Sequence, residues 1–177
     1  FLSARLDRRA ALGLLTGTGL GDCVRSMQVA PVAAYRDIPH FPVSTVQGHP
    51  GSLLAGRIGA CAAVVMQGRF HLYEGYRPRE VAFPVRVMQS LGVKTLIVTN
   101  AAGGLNPAFS PGQIMLITDQ INLTGANPLT GPNPETWGPR FPDMSRAYAP
   151  ELVDLAEAAG ARAGARTGRG VYAGLGG

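Results

Sequence analysis

Four short runs of consecutive apolar residues limit most strongly how this chain can fold. None of them alternates apolar with polar residues, so we expect each to be buried on both faces, as the central strands of an α/β sheet are. Helices should then cover that sheet. The runs are Leu12–Thr16, Ala62–Met66, Thr95–Thr99 and Ile114–Thr118.

The segment between the second and third runs predicts a helix. Apolar residues recur at helical spacing from Pro78 to Leu91, Pro84 lies inside near the first turns, and Gly92 follows at a C-cap position. Strand, helix and strand in this order form a βαβ unit.

Two further elements are expected nearer the C-terminus. An amphipathic cover helix is predicted over Tyr148–Ala159, with Leu152 and Leu155 on its apolar side and Gly160 at its end. Before it, Asn127–Pro142 contains five prolines and two glycines, which predicts a long irregular loop. Loops of this length in compact domains are usually functional.

Composition excludes several classes of protein. The chain has 177 residues, of which 46% are hydrophobic and 15% charged, which is typical of one globular domain spanning 1–177 and not of a disordered chain. No apolar run is long enough for a membrane helix, and the first residues show no secretory signal, so we expect a cytoplasmic protein. Cys23 and Cys61 lack the spacing of a metal pair, and we expect free thiols.

The net charge of +5 comes from scattered arginines, with Lys94 as the only lysine. Scattered cations argue against nucleic-acid binding. They either suit the capture of small anions or reflect compositional bias.

Three stretches carry candidate chemistry. The glycines of Thr16–Gly21 would let backbone amides and the Thr18 hydroxyl approach an anion, although a plain tight turn has the same pattern. In QGRFHLYEGY, which follows the second run, an extended chain would place Arg69, His71 and Tyr73 on one face, as an anion or nucleoside site requires. The other face would carry Phe70, Leu72 and Glu74. The alternative is a surface strand with its polar residues outward.

The third stretch, Thr99–Pro107, ends the third run with small residues only. Ala101 and Ala102 would let a flat ring lie against the chain, and the alternative is a tight turn. His49 lies in a Gly/Pro loop and either touches an anion or is merely solvated. No HExxH motif, Cys/His pair or acidic cluster predicts a metal, so we expect metal-free chemistry.

These blocks, read in order, resemble purine nucleoside phosphorylases of the trimeric, 6-oxopurine-preferring type. They cover Thr16 to Tyr148 and read GTGLG, GHPG, QGRFHLYEGY, VTNAAGGLNPAF, ITDQINLTGANPLTGPN and RFPDMSRAY. The resemblance implies an α/β fold with a mixed, largely parallel central sheet flanked by helices. It also implies reversible phosphorolysis of inosine and guanosine in purine salvage, without a cofactor, orthophosphate being a co-substrate.

The resemblance also assigns roles to residues. It makes Arg69 and His71 the catalytic residues and implies a homotrimer, with Phe141 reaching a neighbouring subunit's sugar site. The phosphate-binding residues it implies are Thr18, His49, Arg69, Phe70, His71 and Ala101, with Thr18 where serine is usual. The nucleoside-binding residues it implies are Tyr73, Ala101, Ala102, Gly103 and Phe141.

The family pattern continues past the last residues of this chain, so we expect the fold to be incomplete at its C-terminus, lacking roughly the family's last third. The groups that grip the purine would lie there. Two alternatives therefore stay open: a relative that prefers methylthioadenosine, and a phosphate-binding fragment without activity of its own.

Overall fold

The chain divides into two compact units. The computed structural model describes residues 1–6, 10–17, 19–43 and 51–176, and the units are Phe1–Ala101 and Ala102–Gly177. The first unit contains β1 (Leu12–Thr16), β2 (Gln28–Ala34), β3 (Ser52–Ile58), β4 (Cys61–Gln67), α1 (Pro78–Ser90) and β5 (Thr95–Val98). The second contains β6 (Ile114–Asn122), α2 (Pro150–Arg162) and β7 (Thr167–Gly174).

The first unit is built on a five-stranded mixed sheet in the order β2-β3-β4-β1-β5. Strand β1 pairs in parallel with β4 and β5, whereas β3 is antiparallel to β2 and β4. The predicted βαβ unit is confirmed as β4, α1 and β5. The two strands of this unit lie on either side of β1. Because β1, β4 and β5 are parallel, their carboxyl ends lie at one edge of the sheet.

The centre of this sheet is buried on both faces. In β4, Val64 and Val65 are 0% exposed and Met66 is 1% exposed. Val65 packs with Leu14 and Leu54 on one face, and Val64 and Met66 belong to the larger cluster on the other face. Double burial is therefore confirmed for the first two runs.

The prediction of burial on both faces is wrong for the third and fourth apolar runs. In β5, which is the last strand of its sheet, Ile97 is 47% and Val98 52% exposed. Strand β6 lies in a separate two-stranded sheet, paired in parallel with β7, and has no buried residue among its nine. The apolar composition of a strand does not by itself say which neighbours cover it.

Helix α1 matches its prediction. Pro78 occupies its first turn, and Gly92 follows its last residues with φ of 100°, which is the left-handed conformation that glycine adopts readily. The Glu80 carboxylate accepts a hydrogen bond of 2.7 Å from the Arg77 amide and so caps the helix start. The helix continues through Pro84, which is buried.

Helix α2 does not end at Gly160 as predicted. It runs to Arg162, and the first left-handed glycine after it is Gly164, with φ of 69°. A Cβ at position 160 would lie 2.5 Å from Cγ2 of Thr167 in β7. Gly160 therefore serves the close approach of helix to strand, and not the end of the helix.

The predicted apolar side of α2 is not buried in this chain. Leu152 is 43% and Leu155 58% exposed, and no described residue covers them fully. The side of α2 that faces β7 carries polar contacts. Arg169 of β7 contacts Asp154 at 2.7 Å and Glu157 at 2.6 Å. These ion pairs lie at the surface and add to the close packing of Gly160 against Thr167.

The Pro-rich loop and the two cysteines agree with their predictions. Asn127–Pro142 is irregular, as predicted, apart from a 3₁₀ turn at Glu135–Trp137. Cys23 and Cys61 are free thiols. Among the described residues, no helix is long and apolar enough to cross a bilayer.

Candidate functional site

The candidate site of the first unit lies where β1, β4 and β5 end. The Gly17 amide donates a hydrogen bond of 3.0 Å to the Thr99 hydroxyl, which joins the end of β1 to the residue after β5. Arg69, two residues after β4, donates from Nη1 to the Thr99 carbonyl at 2.7 Å. The structure thus brings together parts of the three stretches that the sequence singled out.

Three side chains form a hydrogen-bonded series at this edge. Nε of Arg69 donates to Nε2 of His71 at 3.1 Å. Nδ1 of His71 lies 2.8 Å from Oε1 of Glu74. The imidazole is 14% exposed and the carboxylate 2% exposed, so this short charged series is largely screened from water.

The two neighbours of the His71 ring determine where its proton lies. An arginine Nε always donates, so Nε2 must accept. An ionised carboxylate only accepts, so Nδ1 must carry the proton. We therefore assign the Nδ1–H tautomer to His71, with Nδ1 donating to the Glu74 carboxylate and Nε2 accepting from the Arg69 guanidinium.

Tyr73 lies against the same imidazole. Its ring stacks on His71 with centroids 4.6 Å apart and planes inclined by 18°. Tyr73 is 60% exposed, so much of its side chain is accessible from solvent. Stacking limits rotation of the imidazole and adds an aromatic wall beside the cationic residues.

The backbone after His71 turns, and the prediction of an extended chain is wrong there. Leu72–Glu74 forms a 3₁₀ turn that ends at Gly75, with φ of 89°. The turn brings Glu74 back to His71, where Oε1 also accepts from the His71 amide at 2.9 Å. Glu74 thus lies beside His71, and not on the opposite face with Phe70 and Leu72.

Phe70 is a core residue. Its side chain is 3% exposed and lies in the hydrophobic core. The ring contacts Tyr35, Phe41 and Tyr76 with centroid distances of 5.2, 6.1 and 6.0 Å. Any contact of Phe70 with an anion must therefore use its main chain.

Of the other residues predicted to bind phosphate or nucleoside, Thr18 and His49 lie outside the described residues. Ala101 is exposed at the end of the first unit, next to Asn100, whose side-chain amide donates to the Ala101 carbonyl at 3.1 Å. In the second unit, Ala102 and Gly103 are exposed and Phe141 is 86% exposed.

Sequence reasoning missed two residues of the described site. Glu74 was placed on the wrong face, although a glutamate three residues after a turn start and directly before a glycine is the pattern of a capped turn. Thr99 was not assigned a role. Its hydroxyl donates to the Leu15 carbonyl at 3.2 Å and accepts from Gly17, and no sequence pattern signals such a bridge.

Gly17 of the glycine loop has a structural task. The Gly17 amide already has Thr99 as its partner. A Cβ at position 17 would lie 2.4 Å from the Thr99 carbonyl oxygen and 2.9 Å from Cα of Asn100. Glycine is therefore needed at this position so that β1 and β5 can approach.

This close approach predicts that Gly17→Ala destabilises the fold. Both atoms that a Cβ would meet belong to the backbone and cannot rotate away, so we expect a loss of about 1–3 kcal/mol in the free energy of unfolding. Urea denaturation checks it. Gly21→Ala is the matched control, because no atom of the described residues lies within 4 Å of a Cβ at position 21. Equal stability of the two variants would contradict the role of Gly17.

A cavity in the first unit lies away from these residues. It has a volume of about 620 Å³ and lies over β2, β3 and β4. Its lining is mostly apolar, with Arg5 and Arg57 at its wall. Both guanidinium groups donate to nearby carbonyls. None of the predicted site residues that the structure describes lines it. Within the described part of the chain, no three His, Cys, Asp or Glu residues form a group able to hold a metal ion.

Comparison with known proteins agrees with the resemblance seen in the sequence. The family model of the phosphorylase superfamily matches residues 11–177. Purine nucleoside phosphorylase 1 of Geobacillus stearothermophilus is 51% identical over 172 residues, which are 97% of this chain and 63% of that protein. Purine nucleoside phosphorylase of Bos taurus is 53% identical over 151 residues, 84% of this chain and 52% of that protein.

Solved structures give the same result. Schistosoma mansoni purine nucleoside phosphorylase isoform 2, in complex with cytosine and ribose-1-phosphate, matches with a TM-score of 0.91 and 40% identity, covering 99% of this chain and 64% of that one. A Schistosoma purine nucleoside phosphorylase in complex with hypoxanthine matches with a TM-score of 0.92 and 40% identity, again covering 99% and 64%. The predicted α/β nucleoside phosphorylase fold is confirmed, and the chain belongs to the phosphorylase superfamily, with the purine nucleoside phosphorylases among its relatives.

Proposed function

We propose that this protein catalyses the reversible phosphorolysis of purine nucleosides such as inosine and guanosine, giving the free base and ribose 1-phosphate in purine salvage. The observation that carries the proposal is the series Arg69, His71 and Glu74 at the carboxyl edge of the parallel strands. The relatives named purine nucleoside phosphorylase, and the Schistosoma complexes with hypoxanthine and with ribose-1-phosphate, support the choice of substrate.

Arg69 and His71 would bind and orient orthophosphate in this reaction. A guanidinium suits a tetrahedral anion, because it forms charge-assisted hydrogen bonds with its oxygens. The imidazole would donate to the anion only after Nε2 has gained a proton and exchanged its Arg69 partner for a phosphate oxygen. The further phosphate contacts that we propose, from the family resemblance, are Thr18, His49, Ala101 and the main chain of Phe70.

His71 would also adjust the charge of the bound phosphate. Nε2 accepts from Arg69 in the structure, so the Arg69 Nε–H would have to turn from Nε2 to a phosphate oxygen before Nε2 takes a proton from monobasic phosphate. The more nucleophilic dianion would then be left. Glu74 stabilises the imidazolium formed. One phosphate oxygen then bonds to C1′ of the ribose as the C1′–N bond breaks, and the electron pair of that bond leaves with the purine. Positive charge develops on the ribose during this step, and the bound anion stabilises it.

The nucleoside contacts belong to the same proposal. Tyr73, stacked on His71 and largely exposed, is proposed to lie against the ribose. Ala101, Ala102 and Gly103 are proposed to flank the base. We further propose a homotrimer, in which Phe141 enters the sugar site of a neighbouring subunit, and its exposed fraction of 86% is consistent with that role.

Three broader statements complete the proposal. Residues 1–177 are proposed to belong to one phosphorylase-like domain, which the continuous family match over 11–177 supports. Orthophosphate is proposed as co-substrate, with no cofactor. A cytoplasmic location is proposed, since the two free cysteines suit a reducing compartment.

The test is an assay of inosine cleavage with and without phosphate. We expect hypoxanthine and ribose 1-phosphate in equal amounts, and no cleavage without phosphate. Cleavage to free ribose at the same rate without phosphate would contradict the proposal. Binding of phosphate without binding of inosine would instead identify the 177-residue chain as a phosphate-binding fragment that is inactive by itself.

A further inference from the structure

The peptide that joins β4 to Arg69 is held from two sides by buried hydroxyl groups. The Tyr35 hydroxyl donates to the Gly68 carbonyl at 2.8 Å. The Gly68 amide donates to Oγ1 of Thr16 at 3.2 Å, and this hydroxyl in turn donates to the Met66 carbonyl at 3.1 Å. Both polar groups of Gly68 therefore have side-chain partners from other elements.

These hydroxyls are deeply buried. Tyr35 and Thr16 are each 1% exposed, and burial raises the pKa of the Tyr35 phenol, so this group stays a neutral donor. A buried hydroxyl is costly unless it is hydrogen-bonded. Phenylalanine and valine would fill the same space without that cost, so the hydroxyls are explained by what they bind, which is the turn at Gly68.

Tyr35 secures the chain on both sides of Arg69. Its hydroxyl binds Gly68, and its ring packs on Phe70 with centroids 5.2 Å apart. Gly68 has φ of 99°, a conformation that turns the chain sharply as it leaves β4. Arg69 thus lies between two anchored neighbours, and its guanidinium reaches both Thr99 and His71 from there.

We propose that Tyr35 and Thr16 are positioning residues of the anion site: together they hold the Gly68 peptide so that Arg69 and His71 leave β4 in the orientation in which they meet. Neither residue touches the anion. The effect on phosphate use rests on the proposed function, whereas the effect on the Arg69–His71 contact does not.

The first test reads the His71 ring without any enzymatic activity. In ¹⁵N spectra of histidine-labelled protein, assigned with a His71→Asn variant, we expect the Nδ1–H tautomer signature for His71 in the wild type. Tyr35→Phe and Thr16→Val should shift His71 toward a mixture of tautomers, because Arg69 no longer holds Nε2. Thr16→Ser keeps the hydroxyl and should keep the wild-type spectrum.

The second test reads phosphate use in the inosine assay. Tyr35→Phe and Thr16→Val should each raise KM for phosphate by about tenfold, since small displacements of positioning groups have effects of this size or larger. KM for inosine should change much less. Thr16→Ser should again match the wild type.

Ile38→Val separates positioning from stability. Ile38 lies in the same core cluster as Tyr35, and loss of one methyl group lowers stability without touching Gly68. If Tyr35→Phe and Thr16→Val give the His71 spectrum and phosphate KM of Ile38→Val at similar melting temperatures, the two residues are merely structural and the inference is wrong. A wild type that cleaves inosine without phosphate would overturn the proposed function, and the His71 spectra would still decide the positioning role.

Discussion

Arg69→Ala is expected to weaken the use of phosphate by about 2 kcal/mol or more, which is roughly thirtyfold in affinity. The substitution removes a charge-assisted donor fork. It also removes the contacts with the Thr99 carbonyl and with Nε2 of His71, so the imidazole loses its orientation as well. The KM for phosphate in the inosine assay, or the affinity for phosphate in a direct titration, measures the effect.

Two variants define what Arg69 contributes. Arg69→Lys keeps the charge but loses the planar fork, and should recover only part of the affinity. Arg25→Ala removes one positive charge from a side chain that is 81% exposed and paired with Asp22, and should leave phosphate use unchanged. An Arg69→Ala variant with wild-type phosphate affinity would place the anion site elsewhere.

Glu74→Gln is expected to lower kcat by about a hundredfold. This is the lower end of the rate loss expected when general acid–base catalysis is removed. Glutamine keeps the size of the side chain and a carbonyl oxygen that can accept from the His71 amide and Nδ1. It lacks the negative charge that stabilises the imidazolium. The fold should therefore persist while proton uptake at Nε2 becomes unfavourable, which kcat measured across pH will show.

Glu80→Gln is the matched control for that prediction. Glu80 caps the start of α1 by accepting from the Arg77 amide at 2.7 Å, much as Glu74 accepts from the His71 amide, but no histidine is its partner among the described contacts. Glu74→Gln should lose more stability than Glu80→Gln, because the Glu74 side chain is 2% exposed and Glu80 is exposed, so kcat is compared at a temperature where both variants are folded. If kcat falls equally in both, the charge of Glu74 has no specific role in the reaction.

The sequence predicted the secondary structure of the site well, because its signals there are local. A run of apolar residues gave β4, helical spacing and Gly92 gave α1, and parallel strands imply a shared edge at which their carboxyl ends meet. The position of Arg69 and His71 at that edge followed from these elements alone. Each of these inferences depends on residues close together in the chain.

The parts that were wrong depend on contacts between distant residues. Gly160 reads as a helix end, but Thr167 across the helix–strand contact explains it. Strand β2 was not predicted. It contains Pro31, which a central strand would not tolerate, and it lies at the end of its sheet with a register shift beside the proline. The partners of Thr99 and Tyr35 likewise come from other strands, so no local pattern reveals them.

A titration of the 177-residue chain with inorganic phosphate, followed by the imidazole resonances of His71, tests the central claim most directly. We expect the His71 resonances to shift with saturable, single-site behaviour in the wild type, and we expect Arg69→Ala to need roughly thirtyfold more phosphate for half-saturation. His71 resonances that do not respond to phosphate, or that respond equally in both proteins, would contradict an anion site formed by Arg69 and His71.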